Sequence, residues 1–492
     1  MKHKSVIIIG SGVAGLATAI RLAVAGLQVA VYEKNAYPGG KLSYFEHEGF
    51  CFDAGPSLFT QPWLIDELFT LAGKNPAEYF RYNRASETCR YFFPNGKRLV
   101  ADASVQAFAQ SAEKTLGEPA ENVVKYLQQS SVLYHKTAAL FLNKSLHKAG
   151  TYRGKDLVNA MLGAKPRYLL QTLDSYNNSA FRTPEMQQLF NRYATYNGSN
   201  PYAAPAMMSV IPHLEMNEGT YYPEGGMISI TNALYQLALS LGVQFYFNNQ
   251  VEEILLSQNV VKGVSVNGKA VLADRVVYNG DAYFAYKHLM HDDKSAAKIL
   301  KQERSSSAFI FYWGINRTFP ELGLHNIFFS SDYRAEFANI FKAKQVDGDP
   351  TVYVNITAKM ESGQAPPDQE NWFVMINVPS GTDRDWQQVK TDLRAVVIQK
   401  ISSMLGVSIG DCIVTEAVLT PLDIEQKTMG YGGSLYGTSS NSRMAAFVRH
   451  PNFSSHITNL YFAGGSVHPG GGIPLCLRSA KIVAELIAKD HN

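Results

Sequence analysis

The sequence predicts an α/β protein, α+β when the whole length is counted, that opens on a βαβ unit. Three observations predict it. A short β-branched strand, Ser5–Ile9 (SVIII), stands at the start; a glycine-spaced turn follows at once; and a second apolar strand, Gln28–Tyr32 (QVAVY), ends in the acid Glu33.

Each element has its own reason. An uninterrupted apolar run bounded by glycine reads as a parallel strand buried on both faces. In the turn Gly10-Ser11-Gly12-Val13-Ala14-Gly15, Gly10 makes the tight bend and Gly12 lets backbone approach a diphosphate. Gly15 lets the next helix pack close to the strand. That helix runs through Leu16, Ala19, Ile20, Leu22 and Ala23 and stops near Gly26. Its first-turn amides, including those of Val13 and Ala14, and its dipole favour a pyrophosphate. Glu33, at the end of the second strand, suits ribose hydroxyls and disfavours a 2′-phosphate. The arrangement is Rossmann-like. Because NAD and FAD share it, the next residues matter. Lys34 follows Glu33, and Pro38-Gly39-Gly40-Lys41 offers bare amides and a cation to phosphate. Taken alone, that stretch reads equally as a loop with a solvated lysine.

Lys2 and Lys4 before an apolar stretch imitate a signal peptide. The glycines and Arg21 within the stretch favour strand, turn and helix instead. No other run of ~18 uninterrupted apolar residues suggests a spanning helix.

The 492 residues, 46% of them hydrophobic, are enough for a large core and more than one structural domain. A net charge of +3 from 45 basic and 42 acidic residues excludes a nucleic-acid binder by charge. It permits contact with an anionic membrane surface. Cys51, Cys89, Cys412 and Cys476 are scattered, so neither a zinc site nor a disulfide framework is expected and a reducing cytoplasm fits. No His, Asp or Glu cluster has metal-ligand spacing, so no metal is expected.

Further motifs make the chain recognisable. They are Phe52-Asp53-Ala54-Gly55-Pro56-Ser57, Arg192-Tyr193-Ala194-Thr195-Tyr196-Asn197-Gly198, Tyr222-Pro223-Glu224-Gly225-Gly226-Met227, and Asp274 to Asp281 (DRVVYNGD). A final one, Tyr461-Phe462-Ala463-Gly464-Gly465, continues to Gly470-Gly471-Gly472-Ile473-Pro474. With the opening unit, this set resembles the bacterial-type phytoene desaturase family of carotenoid desaturases along essentially the whole chain. Lys41-Leu42 with Gly55-Pro56-Ser57-Leu58-Phe59-Thr60 is most similar to the hydroxycarotenoid 3,4-desaturase branch. Lys41 stands where many members carry arginine. Gly464-Gly465 replaces a Gly-Asp pair that related flavoproteins use at the ribityl chain.

The resemblance implies an FAD-binding domain of the amine oxidase/phytoene desaturase type, with an inserted sheet-plus-helices substrate domain. It divides the chain into a discontinuous FAD-binding domain (1–75, 211–294 and 415–492) and a substrate domain (76–210 and 295–414). To the cofactor-binding set it adds Leu42, Gly55, Pro56, Ser57, Val251 (whose backbone meets adenine), Gly280, Gly465, Gly472, Ile473 and Pro474. Residues 243–247, 251–254 and 260–264 read as strands, with a turn at Asn267-Gly268, and 475–488 as a helix. Residues 76–210 read mostly as helices, and 308–313, 352–356 and 372–376 as strands. The apolar stretch 132–142, with Lys136, Lys144 and His147 nearby, reads either as a bilayer contact or as a helix packed on its own domain.

The implied function is FAD-dependent desaturation of a lipophilic carotenoid, by hydride transfer to flavin, on the cytoplasmic face of a membrane. Oxygen, a quinone and a partner protein all remain open as electron acceptor. The residues assign no catalytic base: Asp53, Glu224 and His468 are candidates, each with a structural alternative. Other readings are a phytoene desaturase, an amine or protoporphyrinogen oxidase-like flavoenzyme, and a non-enzymatic isoprenoid carrier of the same fold. The 192–206 and 274–281 stretches argue against the oxidase, and Glu33 with Gly39-Gly40-Lys41 against the carrier.

Overall fold

A computed structural model describes residues 4–489; Lys2 lies outside them. Strand β1 (Ser5–Ile9), helix α1 (Val13–Val24) and strand β2 (Gln28–Tyr32) fall where the sequence places them. They belong to a five-stranded parallel sheet. Its order is Leu460–Phe462, Arg275–Tyr278, β1, β2 and Gln244–Tyr246. Parallel neighbours need crossovers that cover the faces. α1, Ile228–Ser240 and the C-terminal helix Ile473–Lys489 cover one face through Leu16, Ile20, Leu234 and Leu477. Burial on both faces is why β1 is an unbroken β-branched run.

The strands Val251–Ser257, Val260–Val266 and Lys269–Leu272 form an antiparallel meander packed on the opposite face. Its last turn is the expected Asn267-Gly268, both with positive φ (51° and 69°). The C-terminal helix begins at Ile473, two residues before the expected start; a first-turn Pro474 loses no bond, because that N–H has no intrahelical partner.

A seven-stranded sheet forms the second layer. Its order is Ile413–Leu419, Ser307–Ile315, Glu370–Val378, Val352–Ile356, His325–Phe328, Glu87–Phe92 and Arg98–Asp102. Alternate residues of Ser307–Ile315 serve different faces. Phe309, Phe311 and Trp313 pack under helix Trp386–Leu405, whereas Ala308, Ile310 and Tyr312 turn towards Phe50 and Phe52.

One expectation needs correction. Residues 76–210 are not helical from their start: Tyr82–Arg84, Glu87–Phe92 and Arg98–Asp102 are strands. The last alternates exposed and buried residues, and Asn95-Gly96 supplies the hairpin turn, with Gly96 at φ 82°. Helices follow from Val105–Leu116 onwards. For 132–142, the end of helix Ala120–Phe141, the structure selects one of the two readings, the helix packed on its own domain. Leu133, Tyr134, Ala138 and Leu140 face the interior, and Val132 is 60% exposed on its own. This stretch is a packed helix rather than an apolar surface. The exposed apolar side chains cluster on the next helices, Lys155–Gly163 and Pro166–Leu170.

Candidate active site

Between the two sheets lies one cavity of about 1200 Å³. The opening turn forms one end. Gly10 N donates to Tyr32 O (2.8 Å), and Gly10 takes φ 97° with its Cα facing the Asn279 carbonyl; a Cβ there would stand 2.7 Å from that oxygen. Gly12 precedes α1 with no side chain capping the helix, so the first-turn amides have no side-chain acceptor. Gly10, Gly12, Val13 and Ala14 line the cavity. Gly15 does not; its missing Cβ would fall 2.2 Å from Gly10 O, so its part is to let α1 pass beneath the turn.

Glu33 lines the same end and is buried. Its Oε2 accepts from Ser11 N and Ser11 Oγ, both at 2.8 Å, and its Oε1 accepts from Asn35 N (2.9 Å). Held in this way, the carboxylate fixes the turn and keeps lone pairs free for sugar hydroxyls. Val251 lines the wall nearby. Lys34 also lines it, but its ammonium donates to Gln426 O.

Gly39, Gly40, Lys41 and Leu42 run along the middle. Gly39 N donates to Ser11 O (2.9 Å), which ties this loop to the turn. The Lys41 ammonium donates to Leu435 O (2.7 Å), and burial pushes it down to about 8. Gly55, Pro56 and Ser57 face this loop; Gly280, Gly465, Gly472, Ile473 and Pro474 close the opposite side. The chamber beyond is apolar, with Phe45, Ile310, Phe373, Met375 and Leu419.

None of the three candidate acid–base residues lines the cavity. Glu224 is exposed beside Asn83. His468 Nε2 donates to Lys144 O (2.9 Å), and burial holds its imidazole down at about 4, hence neutral. Asp53 accepts from Met227 N (3.3 Å), and burial pushes its carboxyl up to about 7. The folded protein therefore keeps a proton that the unfolded chain releases near 3.8, so this group withdraws stability as pH rises from about 4 to about 7. Relative to Asp53→Asn, the wild-type urea midpoint is expected to fall across that window and level off above it. A difference that does not change with pH would show that Asp53 is not the titrating group.

The structure adds residues that sequence reasoning left without a role. Asn279 sits inside the glycine turn, with its Nδ2 3.3 Å from Gly10 O and its Oδ1 2.9 Å from where a Gly464 Cβ would be. Its place in the DRVVYNGD motif was the available signal. Asp281 accepts from Arg304, which also donates to Ser434 Oγ (2.8 Å). A polar corner ends the apolar chamber. There Arg192 donates to Glu215 Oε1 (3.0 Å) and Tyr91 Oη (2.9 Å), and Tyr196 donates to Glu215 Oε2. His325 and Tyr353 complete the corner. Among the described residues, no three His, Cys, Asp or Glu side chains could hold a metal ion, and no helix is long and apolar enough to cross a membrane.

The sequence profile described as flavin containing amine oxidoreductase matches residues 13–488. The chain belongs to that family. Membership gives it a flavin cofactor, and the bare-backbone turn, the open first-turn amides and Glu33 fit a flavin that carries a diphosphate. The chain is 49% identical to a 1-hydroxycarotenoid 3,4-desaturase of Flavobacterium sp. (strain P99-3), over 98% of this chain and 99% of that one. It is 33% identical to a 4,4'-diapolycopene oxygenase of Methylomonas sp, with 99% of each chain covered. Among solved structures, cyclohexylamine oxidase from Brevibacterium oxydans IH-35A superposes with a TM-score of 0.58 at 12% identity, with 99% of each chain covered. That likeness concerns the fold.

Proposed function

We propose that this chain is an FAD-dependent carotenoid desaturase that forms the 3,4 double bond of a 1-hydroxylated, or similarly end-modified, acyclic carotenoid. The observation that carries the reading is one continuous cavity that runs from the glycine turn into an apolar chamber; end-to-end identity of 49% to a desaturase supports the substrate class. A bound FAD would supply a two-electron acceptor for hydride from the polyene. The chain's residues do the rest. Gly10, Gly12 and the first amides of α1 would hold the diphosphate, and Glu33 the adenosine ribose. Lys41 and the 55–57 turn would border the ring system. Phe45, Ile310, Phe373 and Met375 would align the polyene and exclude water. Residues 1–75, 211–294 and 415–492 form the FAD-binding part of this reading. Residues 76–210 and 295–414 form the substrate part, to which strand Ile413–Leu419 contributes by pairing in its sheet.

The test is anaerobic mixing of the purified flavoprotein with candidate substrates. A 1-hydroxylated acyclic carotenoid is expected to bleach the flavin and to gain one conjugated double bond. Bleaching by alkyl amines, with none by any carotenoid, would overturn the reading in favour of an amine oxidase.

We also propose that the protein meets its lipophilic substrate at a membrane surface, through helices Lys155–Gly163 and Pro166–Leu170. Met161 is 71% and Leu162 66% exposed there, beside exposed Lys155 and Lys165. Apolar tips ringed by cations suit an anionic lipid interface. Met161→Glu with Leu162→Glu is expected to reduce co-sedimentation with phosphatidylglycerol vesicles by about tenfold. Unchanged sedimentation would exclude this face.

A further inference from the structure

Resting on the carotenoid reading, we propose that His325 is the residue that recognises the end-group hydroxyl of the substrate. Its Nε2–H donates to the hydroxyl oxygen, so the hydroxylated end is seated in the polar corner and the 3,4 carbons are set in register with the flavin.

The corner is built around that imidazole. His325 lies on strand His325–Phe328, is buried, and lines the cavity. Its Nδ1 is 2.7 Å from Tyr353 Oη and 3.2 Å from Asn355 Nδ2. The same Asn355 Nδ2 is 3.0 Å from the Leu324 carbonyl oxygen, which fixes it as the amide nitrogen and therefore a donor. His325 Nδ1 must then be an acceptor. Burial and the nearby Arg192 guanidinium keep the ring neutral, down at about 3. A neutral imidazole that accepts at Nδ1 carries its proton on Nε2.

That Nε2 has no hydrogen-bond partner among the described residues. A buried donor without an acceptor is costly, and on a residue that lines the cavity a substrate oxygen can satisfy it. Arg192 Nε also lacks a partner among the described residues, but it lies within the ring-covered guanidinium; the remaining charged and tyrosine groups of the corner pair with one another. Glu215 takes bonds from Arg192, Tyr193 and Tyr196. The Arg192 guanidinium is covered by the rings of Tyr91, Tyr193 and Tyr196, at 5.4, 4.6 and 5.4 Å. They build a rigid wall behind the histidine.

Position fits the chemistry too. In a 1-hydroxylated substrate, a single methylene separates the hydroxyl-bearing carbon from the first carbon of the new double bond. The group that binds the hydroxyl must therefore flank the reacting carbons. A hydrogen-bond chain places it so: Ser57 Oγ, from the Gly55-Pro56-Ser57 turn proposed to border the flavin, is 2.8 Å from Tyr353 Oη, which donates to His325 Nδ1. A hydrocarbon end would leave the Nε2–H buried and unpaired, and sites built to bond a hydroxyl reject analogues that lack it.

The test compares kcat/KM of the flavoprotein for a 1-hydroxylated acyclic carotenoid and for the matching hydrocarbon. The wild type is expected to prefer the hydroxylated substrate by about 100-fold or more. His325→Leu is expected to reduce that preference to about tenfold or less, by loss on the hydroxylated substrate. His325→Gln, which keeps a donor, is expected to restore part of it. Flavin content and circular dichroism verify that each variant is folded. A preference retained in His325→Leu, or absent from the wild type, would overturn the assignment while leaving desaturation intact. Wild-type flavin bleached by no carotenoid would overturn the functional reading and the subsite with it.

Discussion

Gly55→Ala is expected to yield a protein that retains no flavin. A Cβ on residue 55 would lie 1.8 Å from the Lys41 carbonyl oxygen and 2.9 Å from its carbonyl carbon. Both atoms are backbone, so no rotamer change relieves the contact and the 39–42 loop must move. That loop is tied to the nucleotide turn through Gly39 N and to the far wall through the Lys41 ammonium. Displacing it opens the cradle at its middle. Overpacking of this kind costs about 3 kcal/mol of stability. The measurements are the visible flavin absorbance of the purified variant and its urea midpoint. Gly150→Ala is the control, because a Cβ there meets nothing within 4 Å. Full flavin occupancy in Gly55→Ala would mean that the loop is not part of the cofactor site.

Arg192→Met is expected to be the second severe change. Arg192 and Glu215 form a salt bridge at 3.0 Å in which both side chains are buried, at the junction of the helical region and the seven-stranded sheet. Methionine approximates the volume but leaves the Glu215 carboxylate without its countercharge. Removing one partner of a buried pair costs about 3–5 kcal/mol, most of it from the charge left behind. Adding Glu215→Gln should recover a substantial part of the loss, since that charge is then gone. Denaturant unfolding of the two single variants and the double variant measures the coupling. Additive losses would show that the pair acts through packing rather than charge.

How legible the protein was in its sequence follows from how far apart the interacting residues lie. The opening βαβ unit could be read residue by residue, because strand, turn, helix and acid occupy one continuous stretch. Leu42, Gly55 and Ser57, and the glycines near 465 and 472, were reached only through whole-chain resemblance, since nothing local to them points to a nucleotide. Of the polar corner only the Arg192–Gly198 stretch stood out, as a motif without a role. Arg192, Glu215, His325 and Tyr353 come from four separate elements, and only the register of Val352–Ile356 against His325–Phe328 brings the last two together. Asp53, Glu224 and His468 drew notice because they neighbour motif glycines. Yet neighbours along an extended chain point to opposite sides, and their side chains turn away from the chamber. Residues 82–102 were misread because their strands are short, the longest six residues, and stand directly before a long helical pattern.

The order of strands in the parallel sheet also governs how the protein comes into being. Its middle strand is made first, whereas the border strand Leu460–Phe462 and the wall carrying Gly465 and Gly472 are made last. A polypeptide still emerging from the ribosome has the glycine turn but neither the far rim of that sheet nor the cavity wall behind it. With the flavin held where we propose, loading is expected only in the finished chain. Loss of the last few dozen residues should leave most of the protein translated and none of it coloured.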